Sequence, residues 1–561
     1  MKTLERIKMK RKLFHISLLI GIGVAALTQS CTNLDEKLYD TVTANNFPKT
    51  QEEFVSTMGS AYATLGGWAM GDINTYQEIT TDEEIVPTRG QDWNDGGIWR
   101  RAALHAYTYD DDKVNGTWDF CFNGITTANR LIYQFETLAA DGSVPQATAD
   151  IYLSELKTLR GFFYWQAVDL FGNVPLTTNF ADTTAAPATK SRSEVYNFIV
   201  SDLLASAPNL SREVNGSTYS RMTVYGAWFL LAKLYLNAEV YVGTPQWQKV
   251  IDACDTIILS GKFNLESDYF TNFATNNSGS KEFIWAIPYD KIFYTGFNLG
   301  PSTLHYGSQD TYKLTYQPWN GYCSLQEFYE SYEATDLRRG DAGTLAGKAT
   351  KRGNFLAGFQ YKLDGSLVMD DNGATDPDGK PVNFGNIGTD PAQISGGIGS
   401  ASRQDGVRIG KWEFEIGGTP DLSNDYCVFR YADVLLMKAE ALWRKDSKNA
   451  TNAAALALVN QVRDRAGVDP ITSLDGPISF DIAGGSIQGG ELLNEMGREM
   501  VFEHNRRQDL IRFGLFEQQA KWVPGPLLPG DVFNTATTRR ILPIPRTKRA
   551  ANPNLTQNPG Y

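Results

Sequence analysis

The sequence predicts a mainly α-helical protein: a scaffold of tetratricopeptide-like helix pairs carrying a large, irregular, loop-rich insertion. Three observations lead there. Residues 221–260 hold a helix-pair signature, helical periodicity runs through 117–260 and returns over 430–517, and between Lys262 and Asp425 it gives way to Gly, Asn, Asp and Tyr.

The repeat signature is specific in its first helix. Trp228, Leu231, Ala232 and Tyr235 fall at tetratricopeptide spacing, with Ala where Gly is usual, and Ala253 and Ile257 supply the second helix after an elongated Val240–Trp247 connection. Echoes appear at Gly161/Tyr164 and at Ala439/Leu442 followed by Ala454/Leu458. Small residues at these places let two helices approach closely. Around them, an amphipathic helix is expected over Gln51–Leu65, then helices over Thr117–Leu138 and Tyr152–Phe171. The last of these stops at Gly172-Asn-Val-Pro175, and another helix opens at Ser193-Glu194 and runs to about Ala207.

Residues 1–30 read as an export signal. Six basic side chains face one acid, the run Leu13–Leu27 is apolar but short of the roughly 20 residues that span a bilayer, and Ser30-Cys31 closes it. A small residue before Cys is where bacterial lipoproteins are cut and acylated, so Cys31 is the expected lipidation site and residues 31–50 a flexible tether. The single folded domain then spans 51–561. Removing the +5 of residues 1–30 from a formal −12 leaves about −17. Such a surface repels phosphate backbones and argues against nucleic-acid binding. Four further cysteines (121, 254, 323 and 427) form no CxxC; buried thiols are expected, with one disulfide permitted outside the cytoplasm.

Catalytic patterns are sparse. His105, His305 and His504 are far apart in sequence, and no pair sits at metal-ligand spacing, so neither metal nor cofactor is expected. Ala342–Lys348 lacks the first glycine of a phosphate-binding loop, and Ala374–Gly379 lacks both ends of a calcium loop. Asp82, Glu83, Glu84 and Asp110–Asp112 are the best-placed carboxylates for a glycoside hydrolase, though acid runs are ordinarily solvated faces.

Two loop-rich stretches, about 78–112 and 262–425, instead carry exposed-looking rings among Gly, Asn and Asp. A pyranose lays its C–H face on an indole or phenol ring while amides, acids and guanidinium groups take its hydroxyls. Trp93 with Arg89 and Asn94 forms one such set, and Trp319 with Gln317 and Asn320 another; Tyr289, Phe293 or Tyr294 would extend the platform. Packing beneath a long loop is the competing account of each ring.

Motifs along the whole chain resemble the SusD/RagB outer-membrane lipoproteins of Bacteroidetes. They are Leu34-Asp-Glu after Cys31; Asp82-Glu-Glu-Ile-Val-Pro-Thr-Arg-Gly-Gln-Asp-Trp93; Leu159-Arg-Gly-Phe-Phe-Tyr-Trp165 with Phe171-Gly-Asn-Val-Pro-Leu176; Phe429-Arg-Tyr-Ala-Asp-Val-Leu-Leu-Met-Lys-Ala-Glu440; Arg498-Glu499 to Phe513-Gly514; and Leu542-Pro-Ile-Pro545 with Asn552–Tyr561. The resemblance implies a non-enzymatic, lipid-anchored protein on the extracellular side of the outer membrane. It would capture poly- or oligosaccharide and pass it to a SusC-like TonB-dependent transporter. It also implies that Arg89, Trp93, Asn94, Tyr294 and Trp319 match ligand-binding positions, and Asn320 beside Trp319 joins the expected site on its residue chemistry. Peptide capture, as in the RagB branch, is the alternative, and an extracellular glycosidase the third reading. The charged stretch 495–513, read as one helix, is expected to be scaffold: Glu499 or Glu503 pairs with Arg506, Arg507 or another cation, while Phe502 and Phe513 pack inward.

Overall fold

The computed structural model describes residues 50–181, 186–340, 352–373, 377–385 and 397–561. Cys31, the tether, the phosphate-loop-like 342–348 and part of the calcium-loop-like 374–379 lie outside them. The chain divides into two compact units, residues 1–53 and 54–561, and the second holds the helical scaffold with its insertion.

The longer helices are α1 (Gln51–Tyr62), α2 (Asp112–Ala140), α3 (Gln146–Phe171), α4 (Arg192–Ser206), α5 (Val224–Leu236), α6 (Trp247–Ile258), α7 (Tyr431–Lys445), α8 (Ala453–Arg465), α9 (Gly490–Met500) and α10 (Arg506–Phe513). Local chemistry sets their ends. Ser191 and Glu194 form a reciprocal capping box on α4, and Gly514, in the left-handed region, terminates α10.

Packing runs as a continuous series: α2 on α3, α3 on α4, α5 on α6, α6 on α7 and α7 on α8. The α5–α6 pair is the one that Trp228 to Ile257 predict. Close approach is literal at Gly124 of α2, where a Cβ would stand 2.5 Å from the Phe163 ring of α3. The α6–α7 contact joins two helical halves separated by the whole insertion. Across it Lys438 of α7 pairs with Asp255 of α6 at 2.5 Å, and α5 adds to the join: Phe229 stacks on Phe429 at 4.3 Å, and Lys233 pairs with Asp433 at 2.6 Å with both side chains nearly dry.

The insertion is closed at its base by an antiparallel ribbon of β1 (Phe283–Ile287) and β2 (Tyr426–Arg430), pairing Phe283 with Arg430 and Ile287 with Tyr426. Between these strands lie short helices, two-residue ladders and loops, so the loss of helical periodicity there is reflected in the structure.

The stretch 495–513 is not one helix. It breaks after Met500 into α9 and α10, and Phe502 (φ +62°) and His504 (φ +61°) take left-handed backbone in the turn. A bulky residue holds such a conformation only where its surroundings over-determine it. Here the acid-rich loop does so: the Phe502 N–H donates to Glu83 Oε2 at 3.0 Å, the His504 N–H donates to Glu78 Oε1 at 2.6 Å, and Arg506 makes a two-pronged bond to Asp82 at 2.7 Å on each side.

The charges otherwise behave as expected of scaffold, with partners drawn from the insertion. Glu499 receives Arg338, Arg430 and Arg465, while Glu503 receives Arg430 and Lys411. Arg507 pairs with Asp169, Arg512 with Glu440, and Phe513 stacks on Trp443 at 5.6 Å. Phe502 is buried against Phe355. The network thus ties insertion residues Glu282, Arg338 and Lys411 to α8, α9 and the turn after it.

Candidate ligand-binding surface

Of the acids suited to hydrolysis, Asp110 and Asp112 are exposed, whereas the run 82–84 is not on a solvated face. Glu78, Asp82, Glu83 and Glu84 are all 3% exposed or less, the first three because they serve the 501–506 turn. Burial pushes the Glu84 carboxyl up to about 8, an Asn74 hydrogen bond pulling the other way and the neighbouring Glu83 adding to the rise. Burial also raises Glu78, with the Glu84 charge adding, and Glu83, with the Glu78 charge adding. Asp110 and Asp111 hold cations: Arg546 and Arg101 respectively.

Trp93 and Trp319 come together although they stand 226 positions apart in the chain: the Trp93 indole N–H donates to the Trp319 carbonyl at 2.7 Å. Trp93 sits at φ +60° after a tight turn in which Arg89 and Asp92 exchange backbone hydrogen bonds at 3.0 Å. Its ring packs edge-on to Tyr322 at 5.6 Å and tilted to Trp99 at 5.9 Å. Gly321 makes room for it, since a Cβ there would meet the Trp93 ring at 2.3 Å. The Trp319 segment is pinned by backbone bonds to the short helix Leu299–Thr303 and its flank: Trp319 N–H to Pro301, Gly321 and Tyr322 N–H to Ser302, and Asn320 N–H to Leu304. Trp319 itself stays 50% exposed, Trp93 is half-buried, and Asn94 is exposed at the turn beside it.

Arg89 and Asn320 take structural places in the loop in place of ligand-facing ones. Arg89 is fully buried, donating to the Ser402 carbonyl at 2.5 Å and to the Cys323 sulfur at 3.4 Å. Asn320, also fully buried at φ +58°, donates to the Arg403 carbonyl and accepts from Arg408, both at 2.8 Å. A guanidinium and an amide next to a tryptophan in sequence are here the struts that fix its loop. Tyr294 lies against a different neighbourhood: its hydroxyl donates to the Tyr62 carbonyl at 2.8 Å, and its ring stacks on Tyr289 at 5.5 Å. At the tip of that turn, Phe293 is 90% exposed. Trp99 is buried, its indole N–H donating to Asp95 at 2.6 Å.

Supporting residues that sequence reading passed over are Gly321, Tyr322 and Asp92, whose carboxylate accepts the Tyr306 hydroxyl. Burial, with that hydrogen bond and the Asp92 charge adding, holds the Tyr306 proton well above the usual phenol range. Their only sequence signal was a glycine set between an amide and an aromatic residue. The result is an exposed indole at Trp319, a second at Trp93 braced edge-on against Tyr322 and bonded to the Trp319 backbone, and an exposed amide at the margin. That arrangement offers apolar faces and hydrogen-bonding edges; among the described residues no group of three or more His, Cys, Asp or Glu side chains is placed to hold a metal.

This helix-pair scaffold with its looped insertion defines a known class. The profile described as "SusD family" matches residues 281–561, and one described as "Starch-binding associating with outer membrane" matches residues 31–236. The chain belongs to the SusD family. It is 25% identical over 438 residues to the starch-binding protein SusD of Bacteroides thetaiotaomicron, covering 73% of this chain and 72% of that protein. It is 24% identical over 558 residues to SusD-like protein P2 of Formosa agariphila, covering 95% and 97%. Among solved structures, a SusD superfamily protein from Parabacteroides distasonis superposes with TM-score 0.67 at 19% identity, covering 93% of this chain and 100% of that one. Surface glycan-binding protein A from B. thetaiotaomicron in complex with laminarihexaose gives 0.66 at 21%, covering 91% and 99%. These likenesses extend the predicted fold across nearly the whole chain.

Proposed function

We propose that this protein captures poly- or oligosaccharide at the cell surface without cleaving it and hands it to a SusC-like TonB-dependent transporter. It is held to the outer membrane through acylated Cys31, facing outwards. The observation that carries the reading is the Trp93–Trp319 pair: the Trp93 indole, half-buried, bonds the backbone carbonyl of Trp319 from a distant loop, and the Trp319 side chain stays half open to solvent. A surface built this rigidly and not buried suits a ligand with alternating apolar and hydroxylated faces. The names of the relatives, a starch-binding protein and a glycan-binding protein with bound laminarihexaose, support it. Trp93, Asn94 and Trp319 form the contact set. The buried state of Asp82, Glu83 and Glu84 weighs against the hydrolase reading.

Affinity electrophoresis across neutral and acidic polysaccharides tests this. Retardation by at least one glycan is expected, with no new reducing ends on prolonged incubation. Truncating a central aromatic anchor costs about 2 kcal/mol or more, roughly thirtyfold in Kd, so Trp319→Ala should abolish visible retardation. Binding of oligopeptides and of no glycan would reverse the assignment.

A further inference from the structure

Next to the Trp93 loop lies a second cleft, of about 680 Å³, between the short helix Ile98–Ala103 and the segment Gly530–Ala536. Neither Trp93 nor Trp319 lines it. Resting on the glycan-binding reading, we propose that this cleft is a second saccharide subsite, built for an uncharged sugar with neighbouring hydroxyls.

Its chemistry is a balanced donor–acceptor pair beside an apolar wall. Arg100 Nε lies 3.0 Å from both carboxylate oxygens of Asp531, leaving the two terminal guanidinium nitrogens without a protein partner among the described residues. The Asn534 amide nitrogen and the Thr535 hydroxyl are likewise free to bond a ligand. One hydroxyl of a vicinal pair can accept from Arg100 while its neighbour donates to Asp531. Phe533, half-buried, and Val532, 70% exposed, supply the surface for C–H groups.

Charge selects against an anionic sugar. Asp531 neutralises Arg100, and the other cation of the cleft, Arg101, is held by Asp111. A carboxylate or sulfate entering would meet Asp531 with no unpaired cation to receive it. Position favours one chain occupying both sites: Arg100 is about seven residues beyond Trp93, so their Cα atoms lie within about 25 Å. Arg100 also follows Trp99, whose ring is 5.9 Å from that of Trp93. Two sites on one ligand chain raise affinity through effective concentration, with no new contact needed.

The test is calorimetry on the full mature chain with short and long members of a neutral series, malto- or laminari-oligosaccharides, whichever is bound. The readout is the ratio of long-chain to short-chain affinity. In the unmodified protein this ratio should be large, and Arg100→Ala should lower it at least tenfold. Thr535→Arg, at an exposed rim position, plugs the cleft and answers the same question if Arg100→Ala fails to fold. An unchanged ratio in either folded variant overturns the subsite while leaving capture at the tryptophan pair standing. Salt-sensitive preference for uronic-acid oligosaccharides, lost in Arg100→Ala, overturns its uncharged character. Absence of binding to any glycan overturns both readings together.

Discussion

Arg430 and Glu503 meet in a dry interior: Arg430 Nη2 lies 2.7 Å from Glu503 Oε1 and Nε 3.1 Å from Oε2, at 0% and 5% exposure. One residue ends the ribbon at the base of the insertion, and the other lies in the turn between α9 and α10. Arg430 keeps Glu282 and Glu499, but Lys411 has Glu503 as its acid partner, and stranding that buried charge costs about 3–5 kcal/mol. Glu503→Gln should therefore lower stability by that amount in urea or thermal unfolding, while glycan affinity measured in the folded protein stays as it was. Weakened binding in a protein that melts normally would move this turn into the binding site.

Stability should fall on both sides of a mildly acidic optimum. Glu84, raised from 4.5 to about 8, is neutral when folded and ionised when unfolded across that interval, so its contribution is full below 4.5 and lost as pH rises through 8. His504 and His105, lowered by burial from 6.5 to about 3 and about 4, stay neutral when folded; their contribution is lost as pH falls below 6.5. With two histidines set against one glutamate, the melting temperature should thus peak at about pH 6.5. Glu84→Gln, which has no proton to lose, should flatten the alkaline limb; an unchanged limb would show that Glu84 ionises normally.

Gly321→Ala should damage binding without an exposed residue being touched. The added methyl would stand 2.3 Å from the Trp93 ring, and backbone bonds hold the glycine in place, so the ring must move. Affinity should drop by about as much as in a tryptophan truncation, roughly thirtyfold. Near-ultraviolet circular dichroism should change with it, and a variant that binds normally would show that Trp93 is not a contact.

Gly124→Ala is the complementary case in the scaffold. Its methyl would strike Phe163 at 2.5 Å between α2 and α3, and overpacking of this kind costs about 1–3 kcal/mol. Unfolding should report that loss, and glycan affinity should not change.

Cys121, Cys254, Cys323 and Cys427 are all buried and free, so the disulfide that an exported chain permits is not formed among them. Burial raises their thiol pKa values, the Arg89 and Arg408 charges opposing it at Cys323. A thiol reagent should leave these four unmodified until the protein is denatured, and a reductant should not shift the melting temperature.

Much of the scaffold was legible because local chemistry decides it. Trp228 to Ile257 place two helices by spacing alone, Gly172 and Pro175 end α3, and α4 begins where Ser193-Glu194 put it, although its cap is Ser191, two positions earlier. The inward role of the 495–513 charges was also readable. Their partners were not: Arg338 and Lys411 reach Glu499 and Glu503 from the insertion, and no periodicity relates residues so far apart. The same limit turned one expected helix into two. The left-handed turn at Phe502 and His504 runs against local preference and is held by Glu83 and Glu78, 419 and 426 positions away.

At the candidate site, sequence determined which loops carry rings and which ring types they are. Only tertiary structure decided which rings face solvent. Arg89 and Asn320 sit beside tryptophans as a sugar-binding set would, yet both are buried because backbone carbonyls in residues 402–403 needed donors. The acid run Asp82-Glu83-Glu84 reads as a solvated face and lies inside, where Asp82 and Glu83 serve the 501–506 turn as acceptors and Glu84 accepts from Asn74. Helix boundaries are set by neighbours along the chain and so are written in it locally; exposure and pairing are set by whatever the fold brings alongside.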